Sequence, residues 1–418
     1  MSSFAIPLSG LEASSDALNV IANNLANLNT DGFKSETLNF GDVFAQMQGI
    51  AGNGDPFQIG GGVQVGSTVS NFSNGSVDQT GVAANMALQG NGFFVVSNNG
   101  ITSYTRDGDF SVNSSGQIVD ANGDLVEGYQ ANAQGQINVG GALAPISVNS
   151  AAAIPAQAST SFSTTTNLQA GSAAGTTFST PLSVVDSLGE TQTLSITYTA
   201  GATPNNWNYT ITLPASATGA AAPTTITSGT MTFNSSGQLE STTPAETAGT
   251  ISGINITGLA DGAAPMNLTW NLNNAAGTPI ITQQDSASDT SATDVNGYGS
   301  GTLIGFSVLP NGTVEGAFSN NQTLALGQVA VAGFANPEGL SQSNNGDLQA
   351  TAASGAAVVG QAGVGGNGTI TGSAVEESNV DLSTEFSNMI VAQQSYEANA
   401  KALTTLDQVS QATLQLIT

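Results

Sequence analysis

The side chains in this sequence that could do chemistry are almost all carboxylates. Its 418 residues include 29 Asp and Glu, three Lys and Arg, and neither Cys nor His. Disulfides, Cys/His zinc sites and nucleophiles activated by an imidazole are therefore excluded. Two carboxylates could act as the acid and base of a glycosidase, but no local motif selects such a pair. We predict no catalytic residues, no cofactor-binding residues and no small-molecule substrate.

Two aspartate-rich segments are similar to calcium-binding loops. They are Asp107-Gly108-Asp109 and the run from Asp120 to Asp124. The second lacks the glycine that an EF-hand loop needs at its sixth position, and Ala131 stands where the bidentate glutamate belongs. We interpret both segments as hairpin turns and predict no metal site. Three further carboxylates are interpreted as solvated groups of a polar connector: Asp285, Asp289 and Asp294.

The charge balance excludes polyanionic partners. The formal net charge is −26, and the three basic residues are dispersed as Lys34, Arg106 and Lys401. Binding to nucleic acid or to an anionic membrane surface requires clustered Lys and Arg, so we predict neither partner. Residues 1–7 lack the basic and apolar regions of a secretory signal peptide, and no apolar run is long enough to span a membrane.

An amphipathic helix is predicted at each end of the chain. The first occupies residues 4–29, and we expect Thr30-Asp31-Gly32 to end it with a left-handed glycine cap. The second occupies 381–418, which contain no Gly or Pro, and Ser378 with Asp381 resembles a capping box. The apolar stripes are predicted to mediate subunit assembly through Leu8, Leu11, Leu18, Ile21, Leu25, Leu28, Phe386, Met389, Ile390, Tyr396, Leu403, Leu406, Leu414 and Ile417.

The middle of the chain is predicted to be β-rich. Asn-Gly turns and period-two apolar alternation recur there, and a hairpin is expected across Asp186–Gly189. The fold class is thus mainly β with helical termini that pair like a coiled coil. Low-complexity Ala/Ser/Thr segments at 140–180 and 284–301 are interpreted as polar connectors around a block of about seven strands, 176–283. The predicted domains are 1–30 with 378–418, a connector at 31–70, a discontinuous β domain of 71–145 with 290–377, and an inserted outer β domain at 146–289.

Three segments resemble the flagellar rod and hook family of axial proteins. The first extends from Ser9-Gly10-Leu11 to Lys34, the second from Leu88 to Phe110, and the third from Glu376 to Lys401. The positions that match the motifs of this family are Asn23, Asn24, Asn27, Gly32, Phe33, Lys34, Gly90, Gly92, Phe93, Arg106, Gly108, Ser378, Asn379, Val380, Gln393, Tyr396 and Asn399.

The resemblance implies a structural protein of the bacterial flagellum. Length and the inserted β block favour the hook subunits of the family, which form a flexible curved tube that transmits torque. The implied partners are further copies of the chain, the rod and hook–filament junction proteins, the hook cap and the type III export apparatus. The implied location is the extracellular flagellum, reached without a cleaved secretory signal.

Alternatives remain open at this point. A distal rod protein with an unusual insertion is one, and a secreted β-rich adhesin is a more distant one. For Arg106 we expect an ion pair within its own domain. Lys34 and Lys401 are expected to be either solvated or in contact with another subunit.

Overall fold

The computed structural model describes residues 4–43, 46–50, 56–149, 153–343 and 346–417, with the side chains of 46–50, 56–59 and 416–417 left undescribed. The chain divides into two compact units. Unit 1 comprises residues 1–150, 305–317 and 323–418, and unit 2 comprises 151–304 and 318–322. The fold is mainly β with helical termini, as the sequence predicted. Among the described residues, no helix has the length and apolar character needed to cross a membrane.

The described residues form the α-helices α1 (Ala5–Ala26), α2 (Ala215–Thr218) and α3 (Leu382–Ile417). Helix α1 ends four residues before the predicted stop at Thr30-Asp31-Gly32, so that prediction was wrong. The Asn27 amide donates to the carbonyl oxygen of Asn23 at 2.9 Å and satisfies the last turn instead. Leu28, predicted to be helical, lies in the turn that follows.

The start of α3 differs from the predicted capping box. Asp381 itself is the cap, because its Oδ1 accepts a 2.7 Å hydrogen bond from the backbone N–H of Thr384. This bond lowers the pKa of Asp381. The Ser378 hydroxyl instead accepts from the backbone N–H of Val380, outside the helix.

The strands are numbered in chain order. Those before the inserted block are β1 (Glu36–Asp42), β2 (Gln46–Ile50), β3 (Pro56–Ile59), β4 (Val63–Ser70), β5 (Val77–Gln79), β6 (Met86–Gln89), β7 (Phe93–Asn98), β8 (Ile101–Thr105), β9 (Ser111–Val112), β10 (Ile118–Val119), β11 (Leu125–Gln130) and β12 (Ala144–Pro145). Those of the inserted block are β13 (Ala153–Ile154), β14 (Ser161–Gln169), β15 (Thr177–Val185), β16 (Thr191–Ala200), β17 (Asn206–Leu213), β18 (Thr224–Phe233), β19 (Leu239–Thr243), β20 (Thr250–Ile256), β21 (Met266–Asn271), β22 (Ile281–Gln284) and β23 (Asp289–Val295). The remainder are β24 (Gly301–Val308), β25 (Thr313–Phe318), β26 (Thr323–Gly333), β27 (Ser341–Gln342), β28 (Leu348–Gln349), β29 (Val358–Gln361), β30 (Thr369–Gly372) and β31 (Ala374–Glu376).

Unit 1 is built on an antiparallel sheet in which β26, β11, β7 and β8 are central neighbours. Its core contains Phe94, Phe110 and Val331, all at most 1% exposed. Two short ladders, β6 with β30 and β5 with β31, join the early and late segments of the chain. These ladders bring the residues after α1 beside the residues before α3.

The segment at 31–70, predicted as an extended connector, contains paired strands. Strand β1 runs antiparallel to β4 from Glu36 opposite Ser70 to Asp42 opposite Val63, and β2 pairs with β3. The described strands of this segment are therefore hydrogen-bonded to one another and do not form an unpaired connector.

Unit 2 contains two five-stranded sheets. One is the meander β15 to β19, and the other orders β20-β21-β14-β22 with β23 also paired to β14. The hairpin predicted across Asp186–Gly189 is present between β15 and β16. Trp207, Trp270 and Tyr198 lie in the shared core and are at most 1% exposed.

One prediction for the inserted block was wrong. The predicted polar connectors contain β14 and β23, which pair with each other, so Asp289 and Asp294 lie on a strand. Eight strands, β15 to β22, occupy the block that was expected to contain about seven. In β14 the buried positions are Phe162, Thr164, Thr166 and Leu168, so threonine supplies strand propensity where apolar residues are sparse.

The two aspartate-rich segments have different structures. Asp120 to Asp124 is the predicted turn, between the antiparallel strands β10 and β11. Asp107-Gly108-Asp109 is not a hairpin turn, because the Gly108 carbonyl accepts from the backbone N–H of Met86. A Cβ on Gly108 would lie 1.7 Å from the Met86 carbonyl oxygen, so only glycine fits this approach.

Candidate functional site

The candidate site is the junction in unit 1 where the paired terminal helices meet the β strands. Helices α1 and α3 run antiparallel, with Gly10 beside Asn399 at one end and Asn24 beside Glu385 at the other. A Cβ on Gly10 would lie 2.7 Å from the Asn399 amide nitrogen. The absence of a side chain at Gly10 therefore sets how closely the helices approach.

Asn24 joins three elements. Its Nδ2 donates to the carbonyl oxygen of Glu36 at 2.9 Å and to Oε1 of Glu385 at 3.0 Å, and its Oδ1 accepts from the backbone N–H of Glu36. Asn24 is 1% exposed, so each of these polar groups needs its partner. The amide thereby fixes α1 to α3 and to the start of β1.

A buried carboxylate pairs with two of the three basic side chains. Glu376 accepts from Lys34 Nζ at 2.6 Å and from Arg106 Nη1 at 3.3 Å, and its side chain is 0% exposed. Arg106 Nη2 also donates to the Gly90 carbonyl, and its guanidinium lies 5.3 Å from the centre of the Phe93 ring. Burial lowers the pKa of both Lys34 and Arg106 from their usual values.

These contacts test the expectations for the basic residues. The ion pair expected for Arg106 is confirmed. The prediction for Lys34 was wrong, because it is neither solvated nor available to another subunit. Its partner lies 342 positions away and is reached only when β31 pairs with β5.

The backbone around Glu376 completes the junction. The Gly75 N–H donates to Glu376 Oε1 at 2.8 Å, and the Gly32 N–H donates to the Glu376 carbonyl at 2.6 Å. The Asn379 side chain accepts from the Ser35 N–H at 2.7 Å and donates to the carbonyl of Asn71. The junction thus holds the chain after α1 and the chain before α3 in one hydrogen-bonded unit.

Other motif residues have local positions. Gly92 approaches Val331, and Asn27 ends α1 through Asn23. Phe33 and Ser378 are partly buried, Val380 is buried, and Gln393 and Tyr396 are exposed. Glu376 begins the third motif segment, but the sequence analysis predicted no functional role for Glu376 or Glu385. A carboxylate in the apolar run Ala374-Val375-Glu376 was the available signal.

The predicted assembly residues divide by exposure. Those that remain exposed are Leu8, Phe386, Ile390, Tyr396 and Leu414. Those partly or fully covered are Leu11, Leu18, Ile21, Leu25, Leu28, Met389, Leu403 and Leu406. The side chain of Ile417 lies outside the described residues. Phe386 and Ile390 are 50% and 55% exposed, so the helix pair leaves an apolar surface uncovered.

A groove of about 500 Å³ lies between the helix pair and β1 and β4. Its lining includes Ala17 and Val20 of α1, Phe40 of β1 and Val391 of α3. Phe40 and Val391 are more than half exposed. The groove therefore adds exposed apolar area beside the helix pair.

A separate cleft of about 440 Å³ in unit 1 is polar and acidic. Beside it, carboxylate oxygens of Asp120, Asp124 and Asp347 lie within 4.8 Å of one another. Burial, followed by repulsion from Asp120, raises the pKa of Asp347 to about 7. Burial also raises the pKa of Asp107 to about 6.

Four segments match protein families. Residues 6–34 match the flagella basal body rod protein family, and residues 87–160 match the flagellar hook protein FlgE/F/G D1 domain. Residues 147–298 match the flagellar basal body protein FlaE D2 domain, and residues 371–416 match the C-terminal family of flagellar basal body rod FlgEFG proteins.

Relatives match along the whole chain. The flagellar hook protein FlgE of Salmonella typhimurium is 36% identical over 422 residues, which cover 97% of this chain and 98% of the relative. Those of Escherichia coli and Borreliella burgdorferi are 34% and 30% identical, with coverage of 97% or more. The solved structure of Helicobacter pylori flagellar hook protein FlgE2 shares the fold, with a TM-score of 0.50 and 13% identity over 70% of this chain and 98% of that chain. The chain therefore belongs to the FlgE family of flagellar hook proteins.

Proposed function

We propose that this chain, a structural subunit of the flagellar hook, polymerises through α1 and α3 and has no enzymatic activity. The observation that carries the proposal is the apolar surface left exposed on α3, at Phe386, Ile390 and Val391. A contiguous apolar surface on a monomer is typical of an interaction site. A subunit that meets the next copy with a different face forms an open helical polymer.

We propose a separate role for each domain that was predicted from the sequence. Residues 1–30 with 378–418 form the inner assembly layer, and 31–70 connect it to a β domain of 71–145 with 290–377. Residues 146–289 form an outer β domain. The buried pairing of Lys34 and Arg106 with Glu376 supports a stiff link between the helices and the β strands of unit 1. Torque applied to the helices would pass through this link.

The outer surfaces are proposed to slide as the hook bends. Only 8% of residues are charged, so few ion pairs between subunits would resist small displacements. Since the chain has no native cysteine, engineered pairs can bridge outer domains of neighbouring subunits selectively. We expect bridged hooks to lose curvature and regain it on reduction. Normal bending of the bridged hooks would contradict sliding.

We propose partners and a location to match. The partners are further copies of the chain, the rod and hook–filament junction proteins, the hook cap and the flagellar type III export apparatus. The location is the extracellular hook, reached without cleavage of a secretory signal. Gold-labelled antibody against 176–283 should mark the curved segment between cell surface and filament. Label on the straight rod alone would refute this placement.

Polymerisation through the helices is tested by adding charge to their exposed surface. In the double variant Phe386→Asp with Ile390→Asp, two carboxylates replace exposed apolar side chains. We expect this variant to remain monomeric by sedimentation and electron microscopy where the wild type polymerises. Circular dichroism at 222 nm checks that the helix content of the variant equals that of the wild-type monomer.

A matched control adds two carboxylates elsewhere. Leu188 and Ile304 in unit 2 are 61% and 69% exposed, so Leu188→Asp with Ile304→Asp tests the effect of the same added charge away from the helices. We expect it to polymerise like the wild type. If the helix variant also polymerises normally, the proposed function of α1 and α3 is wrong.

A further inference from the structure

We propose that Lys401 of one subunit forms an ion pair with Glu12 and Asp16 of a second copy. This inference rests on the proposed assembly through α1 and α3, and it identifies which charged groups meet there. All three basic side chains of the sequence lie within the described residues, and two of them are buried against Glu376. Lys401 is the remaining basic side chain, and it is exposed on α3.

The geometry of the helix pair directs Lys401 away from its own α1. Gly10 and Asn399 mark the contact between the helices. Lys401 is two residues beyond Asn399, which rotates it roughly 200° around α3. Glu12 is two residues beyond Gly10 and is rotated by the same angle around α1. Lys401 and Glu12 therefore lie on opposite outer faces of one pair, where they can meet only between copies.

The charges on those faces are complementary. Helix α1 contains Glu12 and Asp16 and no basic residue, and both carboxylates are exposed. They are four residues apart, so they repel each other on one face of the helix. In the described part of the chain, neither they nor Lys401 has an opposite charge within 4 Å. An ammonium group from a second copy would relieve this repulsion.

The same pairing sets the direction of assembly. A contact of α1 with α1 would place two acidic faces together, which costs free energy. A contact of the α3 face with the α1 face places a cation between two anions. This head-to-tail arrangement is the type that builds an open polymer.

Zero-length carbodiimide crosslinking gives a direct test, because the sequence has only two lysines and Lys34 is buried. In polymers of the full-length chain we expect a peptide in which Lys401 is linked to Glu12 or Asp16. Mixed polymers of ¹⁵N-labelled and unlabelled chains show whether the linked peptides come from different copies. Links from Lys401 to Glu397 or Asp407 alone, in polymers, would overturn the proposal.

Charge reversal tests the energetic role. At low ionic strength we expect Lys401→Glu, and separately Glu12→Lys with Asp16→Lys, to raise the critical concentration roughly tenfold. Neither should polymerise well alone, but a mixture of the two should co-polymerise, since every contact between unlike copies is again complementary. The double variant Leu188→Asp with Ile304→Asp, which lowers the net charge by the same two units at exposed positions of unit 2, is the control for added negative charge and should keep the wild-type critical concentration.

The outcomes separate this inference from the proposed function. Wild-type critical concentrations for Lys401→Glu, or failure of the mixture to polymerise, would overturn the ion pair. Either result leaves assembly through α1 and α3 intact, provided that Phe386→Asp with Ile390→Asp still abolishes polymerisation. If that double variant polymerises, the proposed function fails independently of Lys401.

Discussion

At the residue scale, the junction depends on one carboxylate. Glu376 is fully buried and is the counter-charge of both Lys34 and Arg106. Removing one member of a buried ion pair leaves an uncompensated charge, which typically costs about 3–5 kcal/mol. We expect Glu376→Gln to lower the free energy of unfolding of unit 1 by about this amount. Hydrogen exchange of the buried strands β6 and β7, followed over a urea series, measures it, because both strands belong to unit 1.

The adjacent residue and the other unit provide controls. Glu377 is exposed, so Glu377→Gln should change stability by at most about 0.5 kcal/mol. Both tryptophans, Trp207 and Trp270, are in unit 2, so their fluorescence follows that unit alone. An unfolding midpoint for β6 and β7 in Glu376→Gln equal to that of the wild type would mean that the buried charges are compensated in another way.

The acidic cleft predicts a pH dependence. Burial and neighbouring Asp120 raise the pKa of Asp347 from 3.8 to about 7, so the folded protein binds this proton more tightly than the unfolded chain. Its stabilising contribution is complete below pH 3.8 and is lost as the pH rises through about 7. The melting temperature of unit 1 should therefore fall between pH 4 and 7. Asp347→Asn should flatten this profile, measured by hydrogen exchange of the buried strands β6 and β7 at increasing temperature.

The matched control for the cleft is Asp16→Asn, which removes an exposed carboxyl of α1. It should retain the wild-type fall in melting temperature. If Asp347→Asn also retains it, another group is responsible. Asp107, whose pKa burial raises to about 6, is then the first substitution to make.

Residue types were easier to predict than their partners. The sequence identified Lys34 and Arg106 as parts of motifs, and it predicted an ion pair for Arg106. It could not identify Glu376 as the partner of Lys34 and Arg106, because 342 and 270 positions separate Glu376 from these residues. Local spacing contains no information about pairs that only the sheet topology brings together.

At the element scale, the terminal helices are predicted to gain order on assembly. Helix packing covers one face of α3, and most of its residues remain exposed. Most of the stability of a helix in a protein comes from packing of its apolar face, so helices with little cover are marginally stable in water. In the free monomer we expect weak hydrogen-exchange protection at 5–28 and 385–415, and strong protection there in the polymer.

The buried strands β6 and β7 serve as the internal reference for exchange. Their amides should be protected in both states, since their side chains already lie in the core. Strong protection of 385–415 in monomers would be incompatible with ordering on assembly. Equal exchange in monomer and polymer would show that these helices are not at the interface.

The spacing of apolar residues predicted correctly those helices and strands in which apolar residues recur at regular intervals. The helices and the β15–β16 hairpin were confirmed on that basis. It failed in β14 and β23, because each of these strands contains only two apolar residues among polar ones. Strand β14 also pairs in parallel with β21 and β22, a long-range arrangement that hairpin signals cannot predict.

At the scale of the whole molecule, the dominant property is repulsion between copies. Each chain has a formal charge of −26, and its two buried cations form ion pairs with Glu376 of the same chain. Polymerisation must therefore bring strongly acidic surfaces together. The apolar surface of the helices favours this step and long-range electrostatics opposes it.

Salt should consequently promote assembly. The Debye length falls from about 30 Å at 0.01 M to about 10 Å at 0.1 M, so repulsion between acidic surfaces is screened over that range. We expect the critical concentration of the wild type to fall as sodium chloride rises from 0.01 to 0.1 M. Lys401→Glu makes each chain more negative and removes the attraction between opposite charges proposed for α1 and α3, so its critical concentration should fall more steeply. Sedimentation of polymer against salt measures both slopes. A critical concentration that rises with salt would show instead that attraction between opposite charges governs assembly.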